Sequence, residues 1–254
     1  ETILSEDSRF GTMDDFAGRR AQVECVSANP TGPLTVGRIR GGVIGDTLGR
    51  MLAAMGYSVE REYYFNNAGK QMRLLGESLR ARYLTALGIP TPLPGGGYQG
   101  EYLADIASAL IARGGDRYRS ETWEFFKDHA ENEIFRLIRV SLSRVGIVFD
   151  SFFNENSLYD DGSVWRTLDS LREKGLVYEA KQAARDEDAS HRAGDEDEDV
   201  AAEGTPATWV RMMQLRQVPI DKALVKSSGE PTYRLPDTAY HINKIERGFD
   251  LLIN

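Results

Sequence analysis

Cysteine is almost missing from this sequence: Cys25 is the only one. That excludes a disulfide framework and a thiolate zinc cluster, and it makes a reducing, cytoplasmic compartment the expected one. Histidine is nearly as scarce. His129, His191 and His241 lie far apart and form no metal-ligand spacing, so no protein-held metal centre is expected. No apolar run approaches the roughly 18 residues needed to span a bilayer, which argues against a membrane role. The chain opens ETILSEDSRF, which is neither a signal peptide nor a start at methionine, and it stops inside the strand-like run FDLLIN. A processed or excised segment is the expectation.

Positive charge is also in deficit, with a net charge of −8, but the deficit is local. Residues 186–199 (DEDASHRAGDEDED) hold eight acids against one arginine. The rest of the chain is close to neutral, neither a basic platform for nucleic acid nor an acidic one. The Ala-rich acidic stretch 181–205 reads as a disordered surface loop. A calcium loop is the sharper alternative, and the stretch lacks its glycine and ligand spacing. Hydrophobic content of 41% and charged content of 28% are ordinary for a globular protein. The length suits one large domain, or one interrupted by an insertion.

What is present is a strand–loop–helix–strand opening. AQVECVS (21–27) is β-prone and runs into a Pro/Gly loop, NPTGPL. From Gly37 to Met55 apolar residues recur at helical spacing, with Gly56 at the expected C-cap. YSVEREYYFN (57–66) alternates like a strand, with Tyr63, Tyr64 and Phe65 as core or crevice residues. Helices are expected over 67–88, 100–112 and 118–145, with no strand between them. Strands follow at IVFDSFF (147–153), LVYE (176–179), ATWVRM, KALVK and FDLLIN, with helices over 161–174 and PDTAYHINKIER. The fold class this predicts is α/β: a Rossmann-like parallel sheet with a helical insertion. Its parts are a first Rossmann half at 19–66, a mainly helical insertion at 67–145, and a second Rossmann segment at 146–254.

The helix after the loop carries Gly37, Gly41, Gly45 and Gly49, four residues apart on one face. Each costs up to about 1 kcal/mol in a helix interior relative to alanine, so the stripe needs a reason. Close packing on the sheet is one. A phosphate or nucleoside lying against the helix N-terminus is another, and the two are compatible. Neither the P-loop pattern nor GxGxxG is present.

The run VECVSANPTGPLTVGRIRGGVIGDTLGRMLAAMGYSVEREYYFNNAGKQ resembles the catalytic core of class I arginyl-tRNA synthetases. The resemblance continues in GYQGEYLADI, GIVFDSFFNENSLYDDG, KGLVYE and LVKSSGEPTYRLPDTAYHINKIERGFDLLIN, and so covers nearly the whole chain outside the acidic loop. It implies a ligase core that binds L-arginine and ATP, with Mg²⁺, forms arginyl-adenylate and charges tRNA. Family segments on either side, including the KMSKR-type loop and the anticodon-binding domain, lie outside this sequence.

By the same resemblance, Glu24, Asn29, Tyr233 and Asp237 are the arginine contacts. Two carboxylates, an amide oxygen and a phenol suit the five donors of a guanidinium. The loop and helix start, with Pro33, Gly37 and Gly41, would take ATP. Tyr98 and Tyr102 match family residues near the insertion. Three departures stand out. Thr35 and Arg38 occupy the two histidine positions of the family's His-x-Gly-His catalytic motif. The family's Asn-Asp-Ala-Gly-Asn-Gln is here Asn66-Asn67-Ala68-Gly69-Lys70-Gln71. Leu235 and Pro236 replace a common Thr-Arg. Weakened adenylation is therefore expected, and a synthetase-like protein that senses arginine or modifies another acceptor stays open as the alternative.

Overall fold

The structure, a computed structural model, describes residues 2–180, 206–210 and 221–254. The expected acidic loop at 181–205, with His191 and the calcium alternative, lies outside the described residues. The chain divides into two compact units, Glu1–Asn156 with Gly248–Asn254, and Ser157–Arg247.

In the first unit a short helix, α1 (Thr2–Glu6), precedes β1 (Arg20–Glu24), α2 (Val36–Ala54) and β2 (Ser58–Phe65). β1 lies between β2 and β7 (Leu251–Ile253), and β2 carries β3 (Ser151–Asn154) on its outer side. All three pairings are parallel, in the order β3-β2-β1-β7. Ala21, Gln22 and Val23 are all buried, the continuous burial of a central parallel strand. This is the α/β, Rossmann-like sheet expected of the sequence.

α2 stops where its glycine signal placed the stop. Gly56 takes φ 98°, its N–H donates to Ala53 O at 3.0 Å, and Tyr57 N donates to Leu52 O at 3.1 Å. That pair of bonds is a Schellman cap, open to glycine because it has no Cβ to clash at positive φ. The same device corrects one expectation. The strand read over 147–153 begins only at Ser151, because Gly146 (φ 73°) caps the preceding helix and Ile147 N closes the cap on Leu142 O at 3.0 Å. Ile147 is an apolar cap residue, buried against the core.

Three helices follow β2 before β3: α3 (Gly69–Ala86), α4 (Glu101–Gly114) and α5 (Trp123–Arg144). The last starts five residues later than expected, at Trp123 instead of 118. On α5, Phe126, Ala130, Ile134, Ile138 and Leu142 recur every four residues and are all buried. They join Tyr63 and Phe65 of β2 in one core. Each large side chain so buried contributes about 1.5–3 kcal/mol before entropy is counted.

β3 leads into the short α6 (Asn156–Asp160). The second unit holds α7 (Ser163–Glu173), an antiparallel sheet of β4 (Val177–Ala180), β5 (Ala207–Val210) and β6 (Lys222–Val225), and α8 (Arg234–Glu246). Its three strands belong to this separate sheet and not to the parallel one. Among the described residues no helix is long and apolar enough to cross a membrane.

Candidate active site

In an open parallel sheet, ligands enter at the carboxyl ends of strands where the strand order changes direction. β1 marks that place: α2 carries the chain to β2 on one side, and β7 pairs on the other. The loop of residues 25–35 leaves β1 at this point.

The loop begins under strain. Val26 has φ 69° and Ser27 φ 39°, left-handed values for two residues other than glycine. Ser27 N donates to Cys25 O at 2.9 Å across Val26, which makes a γ-turn of the rarer, left-handed kind. Such backbone costs on the order of 1–3 kcal/mol per residue and persists only when its surroundings hold it. Side chains do the holding here. An Arg38 guanidinium nitrogen donates to Val26 O at 3.1 Å and to Ser27 O at 3.4 Å. Tyr63 Oη donates to Ala28 O at 2.9 Å, and Tyr102 Oη to Thr31 O at 2.6 Å. Burial pushes both phenols up to about 12, so they remain donors throughout the neutral range. The Val26 side chain is itself buried.

Glu24, at the carboxyl end of β1, accepts from Ser27 Oγ at 2.8 Å. Ser27 Oγ in turn accepts from Tyr64 N at 3.3 Å. Asn29 is fixed at both ends of its amide, accepting from Asn66 N at 3.0 Å and donating to Gln71 Oε1 at 3.2 Å. The variant segment 66–71 therefore supports the loop. Asn67 donates to Glu131 Oε1 at 2.7 Å and accepts from Asn156 Nδ2 at 2.5 Å. An amide suits that position, because a carboxylate has no proton to give Glu131.

Thr35 caps α2, its hydroxyl accepting from Arg38 N at 3.4 Å. Helix N-termini present free N–H groups and partial positive charge, which favour an anion. The glycine stripe proves to have two halves. A Cβ on Gly45 would fall 2.5 Å from Cys25 Cβ and Sγ, and one on Gly49 would fall 3.1 Å from Arg61 Nε. These two pack the helix on the sheet. A Cβ on Gly41 would meet nothing within 4 Å, and one on Gly37 only Thr35 Oγ1 at 4.0 Å. The first two turns of α2 are thus open on this face. Pro33 is exposed in the loop just before them.

Of the predicted residues in the first unit, the structure links Glu24 to Arg38 through Ser27, and Arg38 to Thr35 through its own N–H, with Asn29 two residues beyond Ser27. Tyr233 and Asp237 belong to the second unit, at the start of α8. Asp237 N donates to Tyr233 O at 3.1 Å, so the two side chains stand one turn apart on one face. Tyr233 is 61% exposed, and the Arg234 guanidinium lies 4.6 Å from its ring centre. His241 Nε2 approaches Asp237 Oδ2 at 3.9 Å. Reading the residues missed the parts of Tyr63, Asn66 and Gln71, whose contacts join segments far apart in sequence.

Among the described residues no group of three or more His, Cys, Asp or Glu is placed to hold a metal. Mg²⁺ bound chiefly through phosphates and water needs no such group. A cleft of about 500 Å³, bordered by Glu77, Arg80, Pro92 and Trp123, includes none of the predicted residues.

Residues 1–87 match the family model described as tRNA synthetases class I (R), catalytic domain. A protein from Desulfotalea psychrophila named arginine–tRNA ligase is 45% identical over 99% of this chain and 41% of its own length. Over nearly its whole length the chain is thus similar to part of the class I arginyl-tRNA synthetases. A second arginine–tRNA ligase, from Pelodictyon phaeoclathratiforme, is 46% identical over 100% of the chain and 43% of its own. A solved Campylobacter jejuni structure assigned to the arginyl-tRNA synthetases superposes with a TM-score of 0.80 at 30% identity, covering 100% of this chain and 51% of that one. The chain spans about two fifths of the length of the curated relatives it matches.

Proposed function

We propose that this chain is the part of a cytoplasmic arginine–tRNA ligase that binds L-arginine and ATP. The observation that carries the reading is an acid, Glu24, at the carboxyl end of β1, joined through Ser27 and Arg38 to a helix N-terminus whose first two turns are open. The near whole-chain similarity to proteins named arginine–tRNA ligase supports it.

In this reading Glu24 and Asn29 receive the arginine guanidinium, whose planar fork suits a carboxylate and an amide oxygen. Tyr233 and Asp237 are proposed, on their own account, as arginine contacts of the second unit. The ATP phosphates lie against the start of α2, near Pro33, Gly37 and Gly41, and bring Mg²⁺ with them. An oxygen of the arginine carboxylate attacks the α-phosphorus, the bond to the β-phosphate oxygen breaks, and pyrophosphate leaves. A hydroxyl at the tRNA 3′ end then takes the arginyl group and releases AMP. Phosphoryl chemistry of this kind rests on positioning and on stabilising negative charge.

One observation favours a weaker version. Thr35 and Arg38 stand at the catalytic histidine positions, and both have polar groups engaged within the fold, one as helix cap and one on the loop carbonyls. Losing a transition-state donor costs about 10²–10³ in rate in comparable sites. Arginine-dependent ATP–pyrophosphate exchange by the native protein tests the proposal. Slow exchange supports the reading with weak activation, and exchange absent with arginine yet present with another amino acid overturns it.

A further inference from the structure

We infer that Arg38 is a positioning residue for arginine and does not serve as a contact to the ATP phosphates. The inference rests on the reading of Glu24 and Asn29 as arginine contacts. These two residues flank the strained pair Val26 and Ser27, so the backbone of that pair sets the distance and angle between them. Both carbonyls of the pair accept from one Arg38 nitrogen, at 3.1 and 3.4 Å. Tyr63 takes the next carbonyl, that of Ala28. Three consecutive backbone oxygens are thereby fixed by side chains from α2 and β2.

The chemistry favours arginine for this task. One guanidinium N–H can be shared between two acceptors while the group stays charged at every physiological pH. A neutral histidine offers only one N–H. The guanidinium reaches the turn because the Arg38 backbone sits in the first turn of α2, where Thr35 Oγ1 holds its N–H. The glycine at position 42 completes the arrangement, since a Cβ there would meet Val26 Cγ2 at 2.9 Å. The turn is thus seated from the helix side and held from the carbonyl side by the same helix.

The test compares the native protein with Arg38→Ala and Arg38→Lys. Dissociation constants for L-arginine and for ATP are measured separately by calorimetry. Amide hydrogen exchange is followed at Ser27 and Asn66 without ligand. The expected result is arginine binding weakened about tenfold or more in Arg38→Ala, with partial recovery in Arg38→Lys and ATP binding within about twofold of native. Exchange at Ser27 and Asn66 accelerates in Arg38→Ala. Weakened ATP binding with arginine binding intact would overturn the inference, as would equal weakening of both. If the native protein binds neither ligand, the proposed function fails. Exchange then still decides the clamp, because unchanged protection at Ser27 in Arg38→Ala sinks it.

Discussion

Gly45 of α2 lies so close to Cys25 of the loop that a Cβ added to the glycine would fall 2.5 Å from both Cβ and Sγ of the cysteine. Four residues earlier on the same helix face, Gly41 has open space instead. The two positions separate packing from ligand access. Gly45→Ala should destabilise the fold by about 1–3 kcal/mol, the usual cost of overpacking. Gly41→Ala should raise stability by up to about 1 kcal/mol through helix propensity, yet weaken ATP binding by crowding the open face. Thermal melts and ATP titrations of both variants check this. An ATP affinity unaltered by Gly41→Ala would remove that face from the nucleotide site.

Tyr233 and Asp237 give an independent check on the second unit. Tyr233 is largely exposed and Asp237 has an exposed side chain, so truncation should cost little stability, within about 0.5 kcal/mol. If they contact arginine, Tyr233→Ala and Asp237→Asn should each weaken its binding, the latter about tenfold or more for the loss of a charge-assisted bond. Calorimetry at neutral pH measures this, and unchanged affinity in both variants removes them from the site.

Alkaline pH probes the loop seat. Burial, then the charges of Asp46 and Glu24, pushes the Cys25 thiol up to about 11 from an ordinary value of 9.0. Burial likewise pushes the Tyr63 phenol up to about 12 from 10.0. Above pH 9 the unfolded chain loses these protons first, so it binds fewer protons than the folded one and stability falls as pH rises. The Cys25 contribution is intact below about pH 9 and lost between about 9 and 11, and that of Tyr63 between about 10 and 12. Cys25→Ala should therefore flatten the decline of melting temperature between pH 9 and 11. A decline as steep as that of the native protein would contradict the assignment. At neutral pH the thiol stays protonated and should react slowly with alkylating reagents.

The opening strand–loop–helix–strand was legible because its signals are local. The alternation of β2, the helical period of α2 and a glycine at the stop each depend on a few neighbouring residues. The split of the glycine stripe was not legible, since it depends on Cys25 and Arg61 lying beneath one half of the helix only. Nor was the antiparallel sheet of β4, β5 and β6. A four-residue strand such as ATWV reads the same whether its partner runs parallel or antiparallel. The start of β3 was misread because Ile147 and Val148 look like a strand, while the cap at Gly146 uses Ile147 to end a helix. In the candidate site, the resemblance to the synthetase family pointed to Glu24, Asn29, Thr35 and Arg38. The clamp on Val26 and Ser27 was hidden, because positive φ at two residues other than glycine leaves no mark in composition or period.

The most direct measurement is a calorimetric titration of the protein with L-arginine and with L-lysine. Saturable heat is expected with arginine and none with lysine, whose ammonium lacks the planar fork that Glu24 and Asn29 would receive. In Glu24→Gln the arginine affinity should fall about 10- to 150-fold, the value of a hydrogen bond to a charged group. No heat with arginine at millimolar concentration, or equal heat with lysine, would contradict the proposed arginine site.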